Sequence, residues 1–298
     1  MDRAIDRAKK TVLTKQLVPW KLRPHGQDFD PVQGDRFNST IKKVIIQQLS
    51  ANETRAPDYD ELDESYELYL PGPEGIGSPD SEHLTFLVKE YGGLANVYII
   101  SQTSAGTIQA LSSLVQLFFA HSQSECKGVY SPFAPVEIKD KPKFPYRGVN
   151  LDTSRQWYPK EAIYRLIDGM VWTKFNRLHW HITDSQSWPL EVPSLPELAI
   201  KGAYWKGLTY TTDDVQRIYK YAEDRGIQVI MEIDMPGHTS SIGLSDPDLI
   251  VGQNVQPLWN SVAAQPPSVS PHLLLLLAHL TCCHRVTSSS KAKLLRTS

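Results

Sequence analysis

Cysteine is scarce in this chain, with only Cys126, Cys282 and Cys283 among 298 residues. Three thiols, two of them adjacent, exclude a disulfide framework and a cysteine-rich metal site. An excess of either charge is also missing. With 31 basic and 33 acidic residues the net charge is −2, so no global field gathers nucleic acid or an anionic membrane surface. The ligand expected is neutral or weakly charged. The apolar run Leu273 to Ala278 falls well short of the roughly 20 residues a membrane span requires. The amino terminus, MDRAIDRAKK, has no apolar stretch of the signal-peptide kind. Two sequons, at Asn38 and Asn52, would accept glycans only in a secretory setting.

What remains, 41% hydrophobic and 21% charged residues, is the profile of a globular chain with two domains as the default. From residue 1 to 140 the texture is α/β. Ser65 to Leu70 alternates as a half-buried strand, Val97 to Ile100 is a short apolar strand, and Ser104 to Phe119 carries Ile108, Leu111, Val115 and Phe118 at helical spacing. Four prolines between Pro132 and Pro145 suggest an interdomain connection.

Beyond it a βα unit repeats. Arg147 to Leu151 predicts a strand, Pro159 to Phe175 a helix with Ile163, Leu166, Ile167 and Met170 on one face, and Arg177 to Ile182 a second strand. A further helix over Asp213 to Arg225 has Thr212 as its expected N-cap and Gly226 as its stop, followed by a strand over Ile227 to Ile233. Apolar strands alternating with amphipathic helices imply a parallel sheet buried on both faces, in a doubly wound fold or a (β/α)8 barrel. The polar residues favour the barrel. Asp152, Asp184, Asp234 and His238 all follow strand ends, where barrel enzymes place their sites. No G-x-G-x-x-G follows the first of these strands, which argues against a dinucleotide-binding fold.

Four blocks together resemble glycoside hydrolase family 20, the β-N-acetylhexosaminidases, with wording that looks fungal. They are FPYRGVNLDTSRQWYP from Phe144, NRLHWHITDSQSWP from Asn176, YTTDDVQRIYKYAEDRGIQVIMEIDMPGH from Tyr210, and SAGTIQALSSLVQLF from Ser104. The resemblance implies an exo-acting, cofactor-free glycosidase that removes terminal N-acetylhexosamine from a glycan or chitooligosaccharide, and a homodimer by family. The substrate's own acetamido oxygen is its nucleophile. On this resemblance Arg147 and Trp188 bind the sugar. Asp184 and His238 form a supporting dyad beside the catalytic acid, and Asp152, His181, Glu232 and Asp234 stand behind them.

The family's acid is an adjacent Asp-Glu pair in an H-x-G-G-D-E motif, and no such motif occurs here. The Asp-Glu pairs present, Asp60-Glu61 and Asp63-Glu64, lie in an acidic stretch of the first domain. A complete barrel needs about 250 residues, whereas 155 run from Phe144 to Ser298. The expectation is an accessory domain over 1–140, an incomplete barrel of about three βα units over 144–267, and an aberrant tail over 268–298 with no acidic, glycine or aromatic residue. Such a chain is expected to be inactive. Two other readings compete. One is a non-catalytic sugar-binding or partner subunit. The other is a metal-dependent hydrolase using His179, His181, Asp184 and His238.

Overall fold

A computed structural model describes residues 1–15, 17, 40–50, 62–72, 74–76, 81–92, 95–121, 128–235 and 237–250. Asn38, Asn52, the three cysteines, Asp60-Glu61 and the tail over 268–298 lie outside the described residues. The chain divides between Pro145 and Tyr146 into two compact units.

The first unit runs α1 (Asp2–Thr14), β1 (Lys43–Gln48), β2 (Tyr66–Leu70), α2 (Glu82–Tyr91), β3 (Asn96–Ser101), α3 (Ser104–Gln116), β4 (Phe119–Ala120), β5 (Val129–Tyr130) and β6 (Val136–Asp140). The main sheet has the order β1-β3-β2-β6. β1 lies parallel to β3, and β2 lies antiparallel to both β3 and β6. Every residue of β3 is buried, because helices cover both of its faces. Val97 and Ile99 join Leu68, Leu70 and residues of α1 and α3, while Tyr98 and Ile100 join Tyr69 and residues of α2. The Thr103 hydroxyl caps α3 by accepting from the Gly106 N–H at 3.2 Å. A Cβ at Gly106 would run into the Ser65 carbonyl, so only glycine lets this helix approach β2 so closely.

The proline-rich stretch over 132–145 ends where the two units divide, but most of it belongs to the first unit and holds a strand. Pro132, Pro135, Pro142 and Pro145 flank β6 without interrupting it, and β6 is an edge strand whose alternation of Val136 and Ile138 with charged residues suits one covered face.

The second unit runs β7 (Gly148–Asp152), α4 (Lys160–Trp172), β8 (Arg177–Thr183), α5 (Glu197–Gly202), α6 (Thr212–Glu223), β9 (Gln228–Ile233) and α7 (Ser240–Gly243). Its three strands are parallel in the order β7-β8-β9. Thr211, rather than Thr212, caps α6, in a reciprocal capping box with Asp214.

Side-chain alternation then divides the sheet. Leu178, Trp180 and Ile182 point into a core built with Ile163, Ile167 and Met170 of α4 and Ile218 and Ala222 of α6. The intervening residues Arg177, His179, His181 and Thr183 occupy the opposite face. The central strand β8 is buried at alternate positions on both sides, yet its two faces differ in kind. Among the described residues one face is apolar, and the other carries polar rows set by register: Asn150 beside His179, then Asp152, His181 and Glu232 side by side.

Candidate active site

The polar row at the C-terminal end of the sheet is the site. Asp152 ends β7, and the strand then turns on its own carboxylate, whose Oδ1 accepts from the N–H groups of Ser154 at 3.0 Å and Arg155 at 2.9 Å. That turn aims the Arg155 side chain across the strand ends. Nη1 reaches Asp152 Oδ2 at 2.6 Å and Nη2 reaches Asp184 Oδ2 at 2.7 Å. The Asp184 side chain is only 1% exposed and needs such partners. It also takes the Ser185 N–H at 2.6 Å and His181 Nε2 at 2.9 Å.

His181 is the centre of the cluster. Its Nε2 faces Asp184, and its Nδ1 faces Glu232 Oε2 at 2.9 Å. A neutral imidazole has one N–H, so two carboxylates on opposite nitrogens call for the imidazolium. The bond to Asp184 raises the His181 pKa against the cost of burial, and with help from Glu232 it stands at about 9. Burial pushes the Asp184 carboxyl up, but the bonds from His181 and Ser185 and the Arg155 charge outweigh it, leaving Asp184 below its ordinary value. Asn150 Nδ2 lies 3.0 Å from His179 Nδ1, and an amide nitrogen donates, so the His179 proton sits on Nε2 and is given to Glu232 at 2.6 Å.

His238 occupies the left-handed region at φ 56. Its Nδ1 is 2.5 Å from Asp234 Oδ2 and 3.6 Å from Asp184 Oδ2. The expected partners Asp184 and His238 thus lie together as an ion pair, while each has a nearer partner, His181 for Asp184 and Asp234 for His238.

Two other expectations fail on geometry. Arg147 precedes β7 at the far end of the sheet, where its Nε donates to the Lys174 carbonyl at 2.6 Å. Trp188 is 1% exposed, belongs to the apolar core and donates to the Leu190 carbonyl at 2.9 Å. Neither reaches the polar row. The arginine that does is Arg155, which the sequence reading passed over. Its signal was available, since it follows a strand end by three residues while Arg147 precedes a strand start.

Two sets of side chains could hold a cation, His181, Glu232 and Asp234, or Asp184, Asp234 and His238, each with ligand atoms within 4.8 Å. His179 belongs to neither. The Arg155 guanidinium and the His181 imidazolium already supply positive charge to these carboxylates and would compete with a metal ion.

Parallel βα units that gather carboxylates, imidazoles and a guanidinium at one strand end have the construction of an α/β enzyme site. Residues 144–273 match the catalytic domain of glycosyl hydrolase family 20, and residues 1–117 match the domain described as beta-acetyl hexosaminidase like. The chain belongs to glycosyl hydrolase family 20. It is 39% identical over 267 residues to a beta-hexosaminidase of Arthroderma benhamiae, covering 89% of this chain and 40% of that protein. To the beta-hexosaminidase subunit beta of Felis catus it is 39% identical over 171 residues, covering 57% and 30%. In fold it is similar to the Flavobacterium johnsoniae chitobiase, with a TM-score of 0.63 at 23% identity, covering 96% of this chain and 38% of that one. The chain thus spans well under half the length of these relatives.

Proposed function

We propose that this chain carries the sugar-holding part of a β-N-acetylhexosaminidase site and that its 298 residues alone do not turn over substrate. In this reading β7, β8 and β9 are the first three strands of a (β/α)8 barrel, and the first unit is its accessory domain. The substrate is a terminal, non-reducing N-acetyl-D-hexosamine of a glycan or chitooligosaccharide, cleaved with retention through attack of its own acetamido oxygen on the anomeric carbon. Homodimers by family belong to the same reading.

The observation that carries it is the convergence of Arg155, Asp184, His181 and Glu232 on the strand ends of a family 20 chain. Arg155 spends two N–H groups on Asp152 and Asp184, and its side chain is half exposed. The remaining donors of its planar fork suit vicinal sugar hydroxyls. Asp184 and His181 fix its position and charge. A proton donor for the leaving oxygen has no candidate in the cluster. Glycosidic cleavage needs a neutral carboxylic acid, the 298 residues hold no Gly-Gly-Asp-Glu sequence, and Glu64 of the Asp63-Glu64 pair is buried in the first unit against Gln109 at 2.8 Å. His181 shares its protons between two carboxylates.

A chromogenic N-acetylglucosaminide assay on the full chain, run beside calorimetric titration with N-acetylglucosamine, tests this. The expected result is sugar binding without turnover. Arg155→Ala should weaken binding at least about tenfold, since a charged hydrogen bond contributes about 1.5–3 kcal/mol, and Arg147→Ala should leave it unchanged. Turnover by the wild-type chain would refute the missing-acid reading. Equal losses for the two arginines would refute the placement of the sugar.

A further inference from the structure

The polar row has a second layer beneath it. By register Glu232 stands beside His181, one pleat repeat above the pair Asn150 and His179. Its carboxylate nonetheless serves both levels, since the single oxygen Oε2 lies 2.9 Å from His181 Nδ1 and 2.6 Å from His179 Nε2. Glu232 is more exposed than either imidazole, with 34% of its side chain in solvent, and a glutamate near a strand end has several rotamers open to it. Held by His181 alone it could turn toward water. Two N–H donors, two residues apart on β8, leave it one position.

The two imidazoles are not equivalent. Asn150 Nδ2 donates to His179 Nδ1 at 3.0 Å, so His179 brings Glu232 a neutral N–H and no charge. The negative charge of Glu232 is left for His181. From there His181 Nε2 carries the connection to Asp184 Oδ2 at 2.9 Å, where Arg155 Nη2 arrives at 2.7 Å. A line of hydrogen bonds thus crosses the three strands from Asn150 to Arg155. We propose that His179 is a positioning residue, which fixes Glu232 against His181 and so orients Asp184 and Arg155 without itself touching the sugar. Its effect on sugar rests on the proposed contact of Arg155. A packing role would ask only for bulk at residue 179, whereas this role asks for an N–H donor where Nε2 stands.

Proton–nitrogen correlation spectra of the histidine rings in the full chain, beside calorimetric titration with N-acetylglucosamine, test this. In wild type His179 should show the neutral Nε2–H form, and the His181 Nδ1 proton should be protected from exchange with water. His179→Ala should speed that exchange and weaken sugar binding, each at least about threefold, as for coupled neighbours. His179→Gln, whose amide N–H can replace the ring donor, should restore both, and His179→Leu, which restores bulk alone, should restore neither. In a Glu232→Ala background His179→Ala should change sugar affinity no further. The role is overturned if His179→Leu rescues as well as His179→Gln, or if the losses at 179 and 232 simply add. Should the apolar variants not fold, Asn150→Ala at its exposed position carries the test, and an unchanged His179 ring pattern overturns the proposal. Wild type that shows these ring signals but binds no sugar would overturn the Arg155 contact and leave the positioning of Glu232 standing.

Discussion

β3 and β8 are the central strands of the two units, and the contrast between them locates the chemistry. Both are almost wholly buried. Flanked by helices on both sides, β3 fills its positions with Val97, Tyr98, Ile99 and Ile100, and the polar groups at its ends hydrogen-bond nearby, Asn96 to the Tyr91 carbonyl at 2.7 Å and Ser101 to Thr107 at 2.7 Å. In β8, flanked by helices on one side, alternate positions go to Arg177, His179 and His181. Burying ionisable groups is costly unless each finds a partner. Arg177 rests on the Asn176 carbonyl and the Tyr146 ring, while His179 and His181 are answered by Asn150 and Glu232 on the neighbouring strands, so β8 is organised around a site, whereas β3 is organised around packing.

The contrast breaks most visibly at Trp180. It is fully buried, donates to Thr153 Oγ1 at 2.8 Å and packs edge-on to Tyr210 at 5.1 Å. Trp180→Ala should cost about 3–5 kcal/mol. Amide hydrogen exchange should quicken along β7, β8 and β9 and stay unchanged in β3. Equal acceleration in both sheets would mean that the two units unfold together.

His181 sharpens the comparison through pH. Its folded pKa of about 9 lies above the ordinary 6.5, so its contribution is complete below about pH 6.5 and is lost as pH rises through about 9, on the order of 3 kcal/mol in all. Asp184 has the opposite sign, contributing above the ordinary carboxylate value and failing only in acid. Urea midpoints measured from pH 6 to pH 10 should fall on the alkaline side for wild type and stay flat for His181→Ala. Parallel profiles would show that His181 is not charged in the folded chain.

The smallest expected effect is at the α6 cap. Thr211→Ala removes the acceptor for the Asp214 N–H at 3.1 Å and should lower stability by about 1 kcal/mol, read as a shift in urea midpoint with an unchanged pH profile.

Much of this architecture could be read from residue pattern. Helical stripes such as Ile163, Ile167 and Met170 placed α4 and its buried face, and the short apolar runs placed β3, β8 and β9, because periodicity reports burial directly. The edge strand β6 was obscured by prolines that bound it. α1 went unread because of its charged residues, with Ala4 alone fully buried. Within the site, Asp152, Asp184, Asp234 and His238 were identifiable from their places at strand ends, and His181 and Glu232 from the family resemblance. Their pairing was not. Which imidazole Asp184 takes depends on cross-strand register and on the turn after β9, and neither is written in spacing along the chain. Arg147 and Arg155 were confused because both flank the same strand, and the resemblance was weighted above the rule that strand C-termini carry the chemistry.

The turn that carries His238 has one more implication. A side chain bearing a Cβ is uncommon at φ 56, and glycine would sit there with less strain. The strained backbone is therefore kept for the imidazole it presents, and His238→Gly exchanges the contacts with Asp234 and Asp184 for a relaxed turn.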